Sequence, residues 1–250
     1  MSESPGRPVP RTYTLPELFG DLKSLVPRLS SLWSIWVGGR LPRALRERVV
    51  VSVAQVNVCR MCEHAHTRMA REAGVSDAEL AALENMDEHA FDRRTWLAVA
   101  HARERTKADF APVADDESQS ALVEVLGAQA YRDVEDVARV MTVANRIANT
   151  LNALPDRRRG NPVPGSRLID ELLINFMFLP GAWLGTLVAA VRQRKSPFAV
   201  WRQARGTQSR VTPDHNGRQV QRTPAIAGIG HRKAVRAARR CAHDGAGRDG

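Results

Sequence analysis

The chain has 250 residues, 43% of them hydrophobic and 26% charged, the balance of a globular protein with a sizeable core and one or two domains. Aromatics are only 5%, so the core must rest on Leu, Val, Ala and Ile, which suits helices packed on helices. The net charge of +10 is concentrated at one end: residues 206–250 hold nine Lys/Arg against three Asp/Glu, while 1–205 hold 28 against 24, and no groove-reading motif accompanies the excess, which argues against specific nucleic-acid recognition.

In chain order, residues 1–12 are rich in Pro, Ser, Gly and Arg and read as a disordered lead-in with no apolar secretory signal. Thr14 and Glu17 have capping-box spacing, Pro16 suits a first helical turn, and Leu15, Leu18, Phe19, Leu22 and Leu25 recur at helical intervals until Pro27. Pro42 opens a helix to about Val56. Its VVVSVAQV stretch has strand-like propensity, but it continues a strong helix former without a turn signal. Asn57 is placed to cap a helix from Val58 to about Glu72, ended by Gly74. Ser76 with Glu79 opens a short helix to about Leu83, and further helices are predicted over Phe91–Lys107, Ser118–Leu126 and Tyr131–Leu154.

The reading is therefore all-α: a helical domain over 13–155, a linker over 156–166, C-terminal apolar helices packed on the core over 167–205, and a disordered basic tail over 206–250. Residues Leu172–Val191 carry no charge and precede Arg192, Arg194 and Lys195. That length is enough to span a bilayer, but Pro180–Gly181 interrupts it, so two short buried helices, 168–179 and 182–193, are the expectation. Membrane contact through 172–191 is the alternative.

Three cysteines, Cys59, Cys62 and Cys241, do not make a disulfide framework. They fit a reducing, cytoplasmic setting, in which a CxxC is redox-active or metal-binding. Cys59, Cys62 and His66 are spaced i, i+3 and i+7, so a helix puts them on one face. Cys59 is expected in the first turn after Asn57, where unpaired N–H groups and the helix dipole favour a thiolate. A thiolate attacking a peroxide or disulfide needs a base and a second, resolving thiol. Glu47, twelve residues before Cys59, reaches His66 if the chain turns back after Asn57, and would then orient the imidazole.

Glu47, Cys59, Cys62 and His66 at this spacing resemble the alkylhydroperoxidase D-like branch of the carboxymuconolactone decarboxylase superfamily, over roughly 15–155. The resemblance implies an AhpD-like helical bundle, homo-oligomers and a thiol-dependent peroxidase acting on hydroperoxides. It implies Cys62 as the peroxidatic thiol, Cys59 as the resolving one, and His66 with Glu47 as proton relay. The cysteine pair is then the redox centre, no other cofactor is required, and the reductant is a dithiol or lipoylated protein. Well-studied members carry a further histidine where this chain has Met61, and decarboxylase members lack the cysteine pair. Three alternatives stand beside this reading. The CxxC is two buried small hydrophobes, or it belongs to a zinc site, or the protein is a non-catalytic redox-sensing or interaction protein, possibly membrane-associated. His64 and Glu63 read as surface residues and His101 as a packed histidine.

Overall fold

The computed structural model describes residues 9–112 and 117–200, all within one unit spanning Met1–Ser209. Every regular element among them is helical. In order these are α1 (Leu15–Leu25), a 3-10 turn (Val26–Arg28), α2 (Leu29–Trp36), α3 (Arg43–Val56), α4 (Arg60–Glu72) and α5 (Asp77–Asn85). A second 3-10 turn (Glu88–Ala90) follows, then α6 (Arg93–Lys107), α7 (Glu117–Leu126), α8 (Ala128–Arg158) and α9 (Leu168–Gln193). The basic tail, with Cys241, lies outside the described residues, as do residues 1–8 of the lead-in.

The all-α expectation holds, and several local signals act as read. Thr14/Glu17 and Ser76/Glu79 both form capping boxes. Gly74 follows α4 at φ +89, a conformation open to glycine, and the Val75 N–H returns to the Ala70 carbonyl. VVVSVAQV is helical because it lies in the centre of the bundle. Val49, Val50, Val51 and Val53 are buried on different sides of α3, against α4, α6 and α8. Tertiary burial overrides the strand propensity of β-branched residues here.

Three elements differ from expectation. Asn57 does not cap α4. It ends α3, its side-chain amide donates to the Val53 carbonyl, and Cys59 takes the N-cap position. Helix α8 runs through Pro155 to Arg158, into the expected linker. An interior proline removes one hydrogen bond and crowds the carbonyl four residues back, but Arg157 anchors the last turn by bidentate bonds of 2.8 and 2.9 Å to the fully buried Glu171 of α9.

The third is the C-terminal segment, where one helix, α9, runs straight through Pro180–Gly181 instead of two buried ones. Its inner side carries Ile174, Asp170 and Glu171, all buried. Ile169, Leu173, Phe176, Leu184, Leu187 and Val191, repeating at intervals of three, four or eight residues, are exposed, Phe176 by 84%. Among the described residues no helix is long and apolar enough to cross a membrane.

Residues 11–13, assigned to the lead-in and the start of the domain, are tied to the bundle. The Arg11 N–H donates to the Asn57 carbonyl, and the Tyr13 N–H donates to the Thr150 hydroxyl. Asn149 of α8 donates through Nδ2 to the carbonyls of both Asn57 (2.8 Å) and Arg11 (3.1 Å). Asn149→Ala should therefore lower unfolding free energy by about 1–3 kcal/mol, the usual cost of orphaning buried polar groups. Urea denaturation checks this. A change within error would show that the turn holds without it.

Candidate active site

The site is built on the reversal between α3 and α4. Asn57, Val58 and Cys59 close it through three backbone bonds: Asn57 to the Val53 carbonyl, Val58 to Gln55 and Cys59 to Ala54. Val58 sits at φ 53, in the left-handed region that a β-branched side chain enters only under strain. The buried residues on either side of it, Asn57 and Cys59, tie the turn to α3 and α8, and the chain comes back against α3.

Cys59 and Cys62 are joined in a disulfide, with Cα atoms 5.4 Å apart, inside the usual range for such a bond. The two residues differ in exposure. Cys59 is fully buried and Cys62 is partly exposed. Because Cys59 is the N-cap, Cys62 falls in the first turn of α4, where unpaired N–H groups favour an anion. His66 lies one turn further along the same face.

Glu47 reaches His66 across the α3–α4 interface, with Oε2 2.9 Å from Nδ1. The other oxygen, Oε1, accepts from the Arg46 guanidinium at 3.2 Å. Arg46 is itself nearly buried, donates to the Ile35 carbonyl and lies over the Trp36 ring. Burial works to raise the Glu47 carboxyl, but the bonds and charges of His66 and Arg46 together outweigh it and hold it below its ordinary value. Glu47 is thus a buried, ionised carboxylate bonded on both oxygens. With Nδ1 turned to Glu47, the Nε2 edge of His66 is left for proton exchange.

All four residues picked from sequence lie in this α3–α4 unit. His64 is exposed, as expected, and His101 is buried, its Nε2 2.8 Å from Glu135. Glu63, read as a surface charge, is partly buried. Gln55 donates to it at 3.1 Å, Arg103 donates to Gln55 at 2.9 Å, and burial raises the Glu63 carboxyl. Arg46 was missed, because neighbours in sequence on a helix do not normally face one another and nothing in the RER run marks a pair. Among the described residues, no group of three or more His, Cys, Asp or Glu is arranged to hold a metal ion.

Comparison with known proteins places part of this chain. Residues 29–104, from α2 to near the end of α6, match the family model described as the carboxymuconolactone decarboxylase family. No curated protein and no solved structure matches. The matched stretch contains Glu47, Cys59, Cys62 and His66, in agreement with the resemblance read from their spacing.

The lowered Glu47 carboxyl has a stability consequence of definite sign. A group whose folded value lies below its unfolded one stabilises the fold above the unfolded value, near 4.5, and that stabilisation is lost as pH falls through the folded value. Glu47→Gln should therefore differ most from the parent at pH 6–7 and converge with it towards pH 3, in urea denaturation at each pH. A difference independent of pH would mean that Glu47 is not charged in the folded protein.

Proposed function

We propose that the chain is a thiol-dependent peroxidase that reduces hydroperoxides through Cys59 and Cys62. The observation that carries this reading is a joined cysteine pair at a helix start beside a histidine fixed by a buried carboxylate. Cys62 is the more exposed of the two residues, which supports it as the one that meets the oxidant, whereas Cys59 is buried.

The Cys62 thiolate attacks the terminal oxygen of the hydroperoxide. An S–O bond forms, the O–O bond breaks, and the alcohol leaves with a proton. His66, its Nδ1 held by Glu47, supplies or takes that proton at Nε2. The Cys59 sulfur then displaces water from the sulfenic acid, giving the disulfide. A dithiol, as on a lipoylated protein, returns both thiols and is oxidised in exchange. Arg46 is a positioning residue that fixes the second oxygen of Glu47. The cysteine pair also argues against lactone decarboxylation, the reaction in the family's name.

Met61 stands where well-studied relatives carry a histidine, and this favours the second reading, a non-catalytic redox-sensing or interaction protein with negligible turnover. Self-association, implied by the family resemblance, would give the outward face of α9 a cover. Phe176→Asp should then lower the mass seen by light scattering towards the 27.6 kDa of one chain.

Stopped-flow consumption of cumene hydroperoxide by the pre-reduced protein tests the proposal. Cys62→Ser should abolish it, while Cys59→Ser should leave a dimedone-trappable sulfenic acid on Cys62 and block turnover. His66→Ala and Glu47→Gln should each lower the second-order rate on the order of 10²–10⁴-fold, and the double variant by little more than either. Rates unchanged in both single variants would sink the relay. A parent with no measurable rate would leave the sensing role in its place.

A further inference from the structure

A second charged cluster uses none of the thiol-site residues. A cavity of about 290 Å³ opens between the 3-10 turn after α1, α6 and α8, lined by Arg28, Arg105, Arg132, Arg139, Glu135 and Asp136 among others. Both carboxylates are committed. Asp136 accepts from Arg28 at 2.7 Å, and Glu135 accepts from Arg105 at 2.7 Å and lies 2.8 Å from Nε2 of His101.

The other two arginines have no carboxylate in hydrogen-bond or ion-pair contact among the described residues, although Glu135 and Asp21 act on Arg139 at longer range. Arg132 donates to the neutral Gln129 amide at 2.8 Å. Arg139 makes no hydrogen bond or ion pair among them. Its guanidinium lies over the Phe110 ring at 4.3 Å, and its Nε is buried without an acceptor, as is that of Arg28. Burial, and then the charge of Arg28, depress its basicity. Four guanidinium groups against two carboxylates leave a surplus of two positive charges around a cavity. Arg132 is exposed, but Arg139 is partly buried, and a partly desolvated cation without a contact partner is costly unless something neutralises it.

We propose that this cavity binds a phosphate-like dianion, as inorganic phosphate or the end of a small phosphate monoester, with Arg139 as its main ligand. A dianion matches the surplus of two. The planar guanidinium fork pairs with two phosphate oxygens at once. The volume exceeds what one phosphate group needs and leaves room for a small organic substituent. The site is independent of the thiol chemistry and stands or falls without it.

Calorimetric titration of the full chain with inorganic phosphate and with glycerol 3-phosphate, at ionic strength matched by sodium chloride, tests this. The proposal expects one site per chain and a melting temperature that rises with either ligand but not with chloride. Tighter binding of the monoester would identify an organic phosphate as the natural occupant, and equal or weaker binding the free anion. Arg139→Met keeps the apolar contact with Phe110 and removes the charge. It should weaken binding at least tenfold while the ligand-free protein melts no lower than the parent, because an uncompensated cation has gone. Equal responses to phosphate and chloride, or full binding by Arg139→Met, would overturn the proposal and assign any affinity to non-specific charge. A large fall in the variant's ligand-free melting temperature would also overturn it, since Arg139 would then be structural.

Discussion

The reversal of the chain at Asn57, Val58 and Cys59 is the constraint on which the candidate site depends. Glu47 lies nine residues before Val56 and His66 seven after Cys59. At about 1.5 Å per residue, that puts them roughly 14 and 10 Å down two antiparallel helices, a difference that two long side chains close. A loop one or two residues longer would change the depth and rotate the α4 face away from α3. The strained φ of Val58 marks how tightly the turn is drawn. Asn149, bonded to carbonyls on both the turn and the segment before α1, holds it against α8. Residues far apart in sequence therefore set the geometry of a motif that looks local.

Electrostatics divides the interior into satisfied and unsatisfied charge. Glu47, Asp133, Asp136 and Glu171 are all buried, and each meets at least one arginine, at 3.2 Å or closer. In every such pair the carboxylate is deeper than the cation's outer edge, so arginine brings neutralisation in from the surface with its own stem as packing. Desolvation offsets much of the attraction in buried pairs of this kind, while removal of one partner alone is strongly destabilising. At Glu47 the arrangement has a chemical use, because a carboxylate bonded on both oxygens cannot rotate away from His66. Arg139 is the inverse case, a partly buried cation whose one direct contact of this kind among the described residues is a ring face, with Glu135 and Asp21 acting on it only at longer range.

The sequence was most readable where a signal is local and physical. Capping boxes, the glycine after α4 and the i, i+3, i+7 spacing of Cys59, Cys62 and His66 each depend on a few adjacent residues; the caps form, and the two cysteines are brought together. The Glu47 contact was legible only through the assumption that the chain turns back. What escaped was decided at long range. Asn57 carries the composition of an N-cap, yet its amide is used by Val53 and its carbonyl by Arg11 and Asn149. Arg46 is indistinguishable in sequence from Arg48, which reaches Glu79 on α5 instead.

Helix α9 shows why hydropathy alone misjudges orientation. An apolar segment beside a core is expected to turn its apolar face inward. Here Asp170 and Glu171 point inward, because each has a specific task there. Asp170 accepts from the N–H of Leu15 at the start of α1, and Glu171 receives Arg157 and Ser166 from the end of α8 and its following turn. Those bonds fix the rotation of the first turn, and a rigid helix carries that rotation along its length. Ile174 and the half-buried Phe178, one turn on, continue the inner line, and Phe176 is carried to the outside. A proline that removes one hydrogen bond does not undo this, since rotation is set at the anchored end. The exposed stripe is therefore a consequence of the polar anchor rather than a failure of packing, and the same anchor explains why α8 passes Pro155 instead of ending there.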